Sequence, residues 1–217
     1  MKPGPDKQNN FIFQHGWGFS SAVWNAWRTY EYGGNCQFLD RGYWGRAVEP
    51  RLTNHRNVLV THSLGLHFAE PCFAEVDCLV ILSGFEHFHG KSISSGRFTH
   101  KHIKRMLARI HEDADGLLAD FYRDCGCSLS PGCHPDLSLL EDDLHLLDTS
   151  HAALQKMQAI PKILLLHGAV DRIVAPDRAR ELNRALPGSV LEFIPQAGHG
   201  LPCTHADVCW RIIKDFL

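Results

Sequence analysis

Within Leu59-Val60-Thr61-His62-Ser63-Leu64-Gly65, an apolar, strand-like run ends at a serine, and a glycine follows two residues later. The glycine leaves room for a helix to pack back closely against the strand. This pattern is typical of a nucleophile elbow, G-x-S-x-G, which holds a serine hydroxyl at the rim of a sheet. Thr61 replaces the first glycine, and we expect its β-branched side chain to crowd the tight turn.

Two downstream segments supply partners for Ser63. One apolar run, 163–166, leads through His167-Gly168 to Asp171, and another, 190–194, leads to Gly198-His199-Gly200. The chain order serine, aspartate, histidine is the one that α/β-hydrolases use. We therefore expect Ser63 to be the nucleophile, His199 the general base, and Asp171 the carboxylate that orients the imidazole.

A glycine-rich turn near the start of the chain predicts an oxyanion hole. The apolar run 11–14 ends in His15-Gly16-Trp17-Gly18, ahead of a helical pattern over 22–28. Such a turn presents backbone N–H groups to an anion. The donors in this fold come from the residue after the nucleophile and from this earlier loop. We assign them to the backbone N–H groups of Leu64 and Trp17.

The alternation of segments predicts an α/β fold with a mostly parallel sheet and helices on both faces. Strand-like runs separated by helical or loop segments cover 11–14, 36–40, 57–61, 78–82, 163–167 and 189–194. We expect one domain over 1–217, the α/β-hydrolase fold, with a small helical cap inserted at approximately 85–155.

Composition excludes several classes of protein. A net charge of -2 gives no general attraction to nucleic acid or to a membrane. No apolar stretch has the length of a transmembrane helix, and the first residues lack a signal-peptide core. We expect a cytoplasmic monomer whose eight cysteines are reduced thiols.

Cysteine and histidine pairs in the predicted cap give weak metal signals. The set Cys125, Cys127, Cys133 and His134 fits no common zinc-ligand spacing. The pairs His87/His89 and His100/His102 are better explained as solvated or hydrogen-bonded histidines. We therefore predict neither a metal nor an organic cofactor.

One helical segment of the insertion carries a cationic stripe. Basic residues recur at every fourth position, at Arg97, Lys101, Arg105 and Arg109. The opposite face of the same helix is apolar, with Ile103, Met106, Leu107 and Ile110. The stripe is either an ordinary solvated face or a docking strip for an acidic partner.

Taken together, these motifs resemble the pimeloyl-[acyl-carrier protein] methyl ester esterases of biotin synthesis, carboxylesterases of the α/β-hydrolase superfamily. The resemblance rests on His15-Gly16-Trp17-Gly18 with Trp24 soon after, His62-Ser63-Leu64-Gly65, His167-Gly168 through Asp171, and Gly198-His199. It implies hydrolysis of the methyl ester of pimeloyl-acyl-carrier protein, with methanol as the other product and no cofactor.

The resemblance also implies roles for the cap and a protein partner. It places Phe121, Tyr122, Arg123, Asp124 and Cys125 along the acyl channel. It makes Arg97, Lys101, Arg105 and Arg109 candidates for contact with the acidic acyl-carrier protein.

Two alternatives stay open at the level of sequence. The same triad would serve a short-chain carboxylesterase or thioesterase, or a C–C hydrolase or lyase, and the basic stripe would then be irrelevant. A catalytically silent binding protein of the same fold is favoured only by Thr61, since a distorted elbow would misplace Ser63.

Overall fold

A computed structural model describes residues 8–90, 93–130, 132 and 134–217, without the side chains of 93–98. Its centre is a six-stranded sheet in the order β2-β1-β3-β4-β5-β6, and every neighbouring pair is parallel. The strands are β1 (Asn9–Gln14), β2 (Gly34–Phe38), β3 (Arg56–His62), β4 (Cys78–Leu82), β5 (Lys162–Gly168) and β6 (Val190–Ile194). The predicted parallel sheet is confirmed.

Helices pack on both faces of this sheet. The helices are α1 (Gly65–Phe68), α2 (Ile93–Ile110), α3 (Ala114–Cys125), α4 (Leu137–Thr149), α5 (Leu154–Met157), α6 (Pro176–Ala185), α7 (Leu201–Thr204) and α8 (Ala206–Phe216), with 3₁₀ helices over Ser21–Thr29 and Glu70–Glu75.

The two faces of the sheet carry separate hydrophobic cores because side chains alternate along each strand. Phe13 and Val60 pack with Trp24 and Trp210 on one face. Ile12, Leu59, Ile81, Phe73 and Leu182 pack on the other. Strands covered on both sides must be apolar throughout, which explains the continuous apolar runs in the sequence.

Helices α2 to α5 lie between β4 and β5, in the segment where the sequence predicts a cap. The two ends of this insertion are joined, since Ala152 N donates to Glu86 O over 2.8 Å. Three of the four predicted apolar residues of α2 are buried, with Ile103 1%, Met106 7% and Ile110 1% exposed, and the fourth, Leu107, is half-buried. Within the described ranges, no helix is both long and apolar enough to cross a bilayer.

One expectation about the cysteines is wrong. Cys127, just after α3, and Cys203, in α7, form a disulfide rather than two thiols. The chain brings them together because Gly200 N donates to Cys125 O over 3.0 Å, which holds the start of α7 against the end of α3. Such pairing between distant helices leaves no trace in local sequence patterns.

Candidate active site

Ser63 adopts the strained conformation that a nucleophile elbow requires. It directly follows β3 and has a φ of 54°, a left-handed value that is uncommon outside glycine. Its amide donates to Leu82 O over 2.9 Å, which fixes the turn against β4. A Cβ on Gly65 would lie 2.5 Å from His15 O and 2.7 Å from Gln14 O, so α1 can begin there only with glycine.

Thr61 does not disturb this turn. It is a regular residue of β3, in register with Gln14 and Ile81, and it is fully buried. Its hydroxyl donates to Val80 O over 3.4 Å. The expected crowding is absent because the left-handed position falls on Ser63, two residues later, while Thr61 is extended as β-branched residues prefer.

Asp171 and His199 form a buried pair at the same edge of the sheet. Asp171 follows β5 and His199 follows β6, and His199 Nδ1 donates to Asp171 Oδ2 over 2.8 Å. The amides of Ile173 and Val174 donate to Asp171 Oδ1, both over 2.9 Å. Burial raises the pKa of the Asp171 carboxyl, but the charge and hydrogen bond of His199 outweigh it, so the pKa lies below its usual value. Asp171 is therefore a carboxylate at neutral pH.

The Asp171 bond determines which nitrogen of His199 can act as a base. With Nδ1–H donated to the carboxylate, Nε2 carries the lone pair. Nε2 is buried and accepts no hydrogen bond from any described residue, so the link from Ser63 Oγ is not formed in this conformation. Catalytic hydrogen bonds of this kind often form only once substrate is bound.

His62 has a role at the site that its motif does not predict. Its ring lies 4.9 Å from that of His199, and its Nε2 donates to the His199 carbonyl oxygen over 3.0 Å. Burial, reinforced by the charge of His199, lowers the pKa of His62 to about 3, so the imidazole is neutral. It fastens the backbone of His199 to the residue before Ser63. In the sequence, the position of His62 next to Ser63 is the one sign that it belongs to the site.

The two predicted oxyanion donors lie in segments that touch beside Ser63. A Cβ on Gly16 would lie 2.9 Å from Ser63 Cβ and 3.3 Å from Leu64 N. The loop bearing Trp17 therefore runs directly against the elbow. In the described part of the chain, the amides of Trp17 and Leu64 donate to no carbonyl or side chain. Neither amide is therefore used in the hydrogen bonding of that part of the fold.

Three of the five predicted channel residues contact the loops of the site. The Phe121 ring meets that of Trp17 edge-on at 5.1 Å, and the Tyr122 hydroxyl donates to Gly18 O over 2.6 Å. Cys125 O accepts the Gly200 amide described above, next to His199. The Trp17 indole donates to Leu140 O in α4 over 2.8 Å. The insertion is thus fastened directly to the loop that bears Trp17.

The other two predicted channel residues, Arg123 and Asp124, are exposed. They line an open cleft of about 290 Å³ between α2 and α3, together with Met106 and Phe121. Ile173, from the loop after Asp171, lines the same cleft. Phe121 therefore contacts Trp17 on one side and borders this cleft on the other.

The predicted cationic stripe is only partly free. Lys101 and Arg105 are exposed, and neither forms an ion pair with a described residue. Arg109 instead pairs with Asp113 and Asp120, each at 2.6 Å, so its charge is compensated. The side chain of Arg97 lies outside the described residues.

The zinc set considered from sequence does not assemble. Cys127 has no thiolate to offer a metal because it forms the disulfide with Cys203, and Cys133 lies outside the described residues. Of the histidine pairs, His87 and His89 lie together, with ring centroids 5.1 Å apart, and His89 also stacks on His100 at 3.5 Å.

No family model matches the chain. Curated proteins, in contrast, show similarity to it. One is the pimeloyl-[acyl-carrier protein] methyl ester esterase of Neisseria meningitidis serogroup B. It is 30% identical over 135 residues, which cover 59% of this chain and 49% of the relative. The serogroup A protein of the same name is also 30% identical over 59% of this chain and 40% of its own length. The chain thus spans at most about half the length of the curated relatives that it matches.

Solved structures establish the fold. The esterase EaEST from Exiguobacterium antarcticum superposes with a TM-score of 0.77 at 15% identity, over 98% of this chain and 93% of its own. A thermophilic esterase from Thermogutta terrifontis gives 0.70 at 17% identity, over 95% and 88%. MenH from S. aureus gives 0.73 at 11% identity, over 97% and 94%. The chain has the α/β-hydrolase fold, as its sequence predicted.

Proposed function

We propose that this chain is a serine carboxylic ester hydrolase that acts through Ser63, His199 and Asp171. One observation carries the proposal: a buried Asp171–His199 hydrogen bond of 2.8 Å, with His199 bound through its carbonyl oxygen to His62, the residue before a serine with a φ of 54°. Each of the three residues follows the carboxyl end of a parallel strand, β3, β5 or β6, and ligands of open α/β sheets bind at that edge. The similarity to the Neisseria esterases points to the methyl ester of pimeloyl-acyl-carrier protein as substrate.

The chemistry follows from the roles of the side chains. Ser63 Oγ attacks the ester carbonyl as His199 Nε2 takes the hydroxyl proton, and Asp171 stabilises the imidazolium. The amides of Trp17 and Leu64 bind the oxyanion. Methanol leaves with the proton from His199, which leaves an acyl-enzyme on Ser63. Water, deprotonated by His199, then releases the free carboxylate and restores the serine.

Catalysis by this triad is tested with purified wild-type, Ser63→Ala and His199→Ala proteins. We expect Ser63→Ala to lower kcat on an activated ester by about 10⁴–10⁶-fold, because the nucleophile is lost. Wild-type protein should be labelled by a fluorophosphonate probe, and both variants should not. Labelling of Ser63→Ala would show that another residue is the nucleophile, and absence of labelling in the wild type would favour the silent binding protein.

The partner we propose is the acidic acyl-carrier protein, docked on α2. Lys101 and Arg105 are its best-supported contacts, because they are exposed and form no ion pair with a described residue. Arg97 belongs to the same proposal through its place on the helix. Arg109 contributes less, since Asp113 and Asp120 compensate its charge. Charge complementarity of this kind chiefly raises the rate of encounter.

Docking is tested by reversing charges on α2. We expect Lys101→Glu combined with Arg105→Glu to raise KM for pimeloyl-acyl-carrier protein methyl ester by about tenfold or more at low salt. Hydrolysis of free dimethyl pimelate should not change. Arg211→Glu is the matched control, because Arg211 is an exposed arginine on α8. Equal KM values for the α2 variant and the control would contradict the proposal that the carrier protein docks on α2.

A second candidate is an esterase or thioesterase for small free esters. The observation that favours it is the compensation of Arg109, which shortens the predicted stripe. If this second candidate is right, kcat/KM for a free short-chain ester should match or exceed kcat/KM for the carrier-linked substrate. The same comparison of the two substrates therefore decides between the candidates.

A further inference from the structure

Four histidines form a row where the insertion joins the sheet domain. His87 and His89 follow β4, His100 lies in α2, and His151 comes just after α4. Along the row His151, His87, His89, His100, successive ring centroids are 4.2, 5.1 and 3.5 Å apart. The row lies at the two ends of the insertion and has no part in the chemistry proposed for Ser63.

We propose that His89, His100 and Asp148 form a binding site for a divalent transition metal ion, with Zn²⁺ the best match. Asp148 Oδ1 lies 2.9 Å from both His89 Nε2 and His100 Nδ1. One ligand atom from each residue falls in a group whose members are all within 4.8 Å of one another. Two imidazole nitrogens and a carboxylate oxygen are a common set of zinc ligands, and a fourth position stays open to water.

The surroundings of His89 suit a metal ligand. The side chain is only 2% exposed, so the fold holds the ring in place. Its other nitrogen, Nδ1, lies 2.6 Å from Thr99 Oγ1. Without metal, Nε2 donates to two oxygens of Asp148, Oδ1 at 2.9 Å and the carbonyl oxygen at 3.0 Å. Metal binding would place the ring proton on Nδ1, where the Thr99 hydroxyl can accept it, and leave the Nε2 lone pair for the ion. An outer hydrogen bond of this kind orients metal-bound histidines generally.

Binding requires one local movement. Zinc with bonds of about 2.0–2.2 Å needs its ligand atoms roughly 3.3–3.5 Å apart, so the present 2.9 Å contacts must open slightly. The stacked rings of His89 and His100 must also separate to direct both lone pairs at one ion. His100 can turn, since its side chain is 50% exposed. His89 and Asp148 would stay close to their present places.

A metal here would link two segments that are distant in sequence. His89 belongs to the outgoing connection from β4, and Asp148 to the end of α4, close to where the chain returns to the sheet. An ion bound by both would stabilise the attachment of the insertion. Because the ion binds the folded arrangement, it should raise the Tm with concentration.

The test uses the full chain freed of any affinity tag and of bound metal. Zn²⁺ alone is titrated by calorimetry, and Tm is measured with and without Zn²⁺. We expect one ion per chain in the wild type and a rise in Tm. His100→Ala and Asp148→Asn should each weaken binding by at least about tenfold and abolish most of that rise. Co²⁺ in place of Zn²⁺ should give visible absorption bands that both variants lose.

His111→Ala is the matched control, because His111 also pairs with a carboxylate, that of Glu141 at 2.8 Å, but on the exposed surface. It should bind Zn²⁺ like the wild type. His100→Gln keeps a polar side chain of similar size and is therefore less disruptive to the fold than His100→Ala. Far-UV circular dichroism of the metal-free variants shows whether each one is folded. Zinc binding that is equal in wild type, His100→Gln and Asp148→Asn would overturn the proposal, as would equal loss in His111→Ala.

Discussion

Gly16 lets the loop that bears Trp17 lie against the turn at Ser63 because it lacks a side chain. A Cβ at this position would lie 2.9 Å from His62 O and 2.9 Å from Ser63 Cβ, closer than real contacts allow. We expect Gly16→Ala to push the Trp17 amide out of line and to lower kcat by about 10²–10³-fold, the usual cost of one oxyanion donor. The measurement is ester hydrolysis at saturating substrate.

Gly45→Ala is the control for that substitution, since a Cβ on Gly45 would meet nothing within 4 Å. Its kcat should equal that of the wild type. If Gly16→Ala retained full kcat while remaining folded, the assignment of the Trp17 amide as an oxyanion donor would be wrong. Labelling of Ser63 by a fluorophosphonate would show whether the nucleophile itself had been displaced.

At the scale of elements, α4 is fastened to the sheet domain through one buried carboxylate. Asp143 is 2% exposed and accepts two hydrogen bonds from Arg41, both 2.9 Å, and one from the Tyr43 hydroxyl at 2.7 Å. Through Leu140, the same helix accepts the Trp17 indole. The turn after β2 and the loop that bears Trp17 thus contact the same helix of the insertion.

Asp143→Ala should therefore destabilise the protein strongly. The substitution leaves the buried Tyr43 hydroxyl without its acceptor, which costs about 1–3 kcal/mol. The Arg41 guanidinium, whose side chain is 38% exposed, loses the same partner but stays in contact with water. Urea unfolding followed by tryptophan fluorescence measures the change. Asp142→Ala removes the neighbouring, exposed carboxylate and should change the free energy of unfolding by no more than about 0.5 kcal/mol. Equal effects of the two would show that the Arg41–Asp143 contact carries little stability.

Local patterns were sufficient for the strands and the order of the site residues, but not for these links between elements. The apolar runs gave β3 and β4 closely, because strands covered on both faces must be apolar. β2 begins earlier than predicted, at Gly34, since an edge strand can carry polar, exposed residues. Arg109–Asp113 was readable as an i,i+4 pair.

The remaining contacts depend on tertiary folding. Cys127 and Cys203 are 76 residues apart, Arg41 and Asp143 are 102 apart, and His89 and Asp148 are 59 apart. No periodicity connects such positions, because packing of α2 to α4 against the sheet determines them. The same holds for the bond from His62 to His199, 137 residues away, which only the meeting of two strand ends creates.

On the scale of the whole molecule, burial of neutral imidazoles makes stability depend on pH. His62 is fully buried, and burial with the charge of His199 lowers its pKa to about 3. Burial also lowers the pKa of His167, which is 1% exposed. In the unfolded chain both have the ordinary pKa of about 6.5. As pH falls below that value, the unfolded chain binds protons that the native protein cannot.

The free energy of unfolding should therefore fall on acidification from about pH 6.5, and His62 should continue to contribute until its native pKa near 3 is passed. Its share is about 1.4 kcal/mol per pH unit within that window. Urea unfolding at a series of pH values between 7 and 4.5 measures the slope, and His62→Gln should reduce it by that share because glutamine does not titrate. His55→Gln, at an exposed histidine, should leave the slope as in the wild type. If His62→Gln kept the wild-type slope, His62 would have to be protonated inside the folded protein, and the imidazole could not be the neutral donor that fastens His199 beside Ser63.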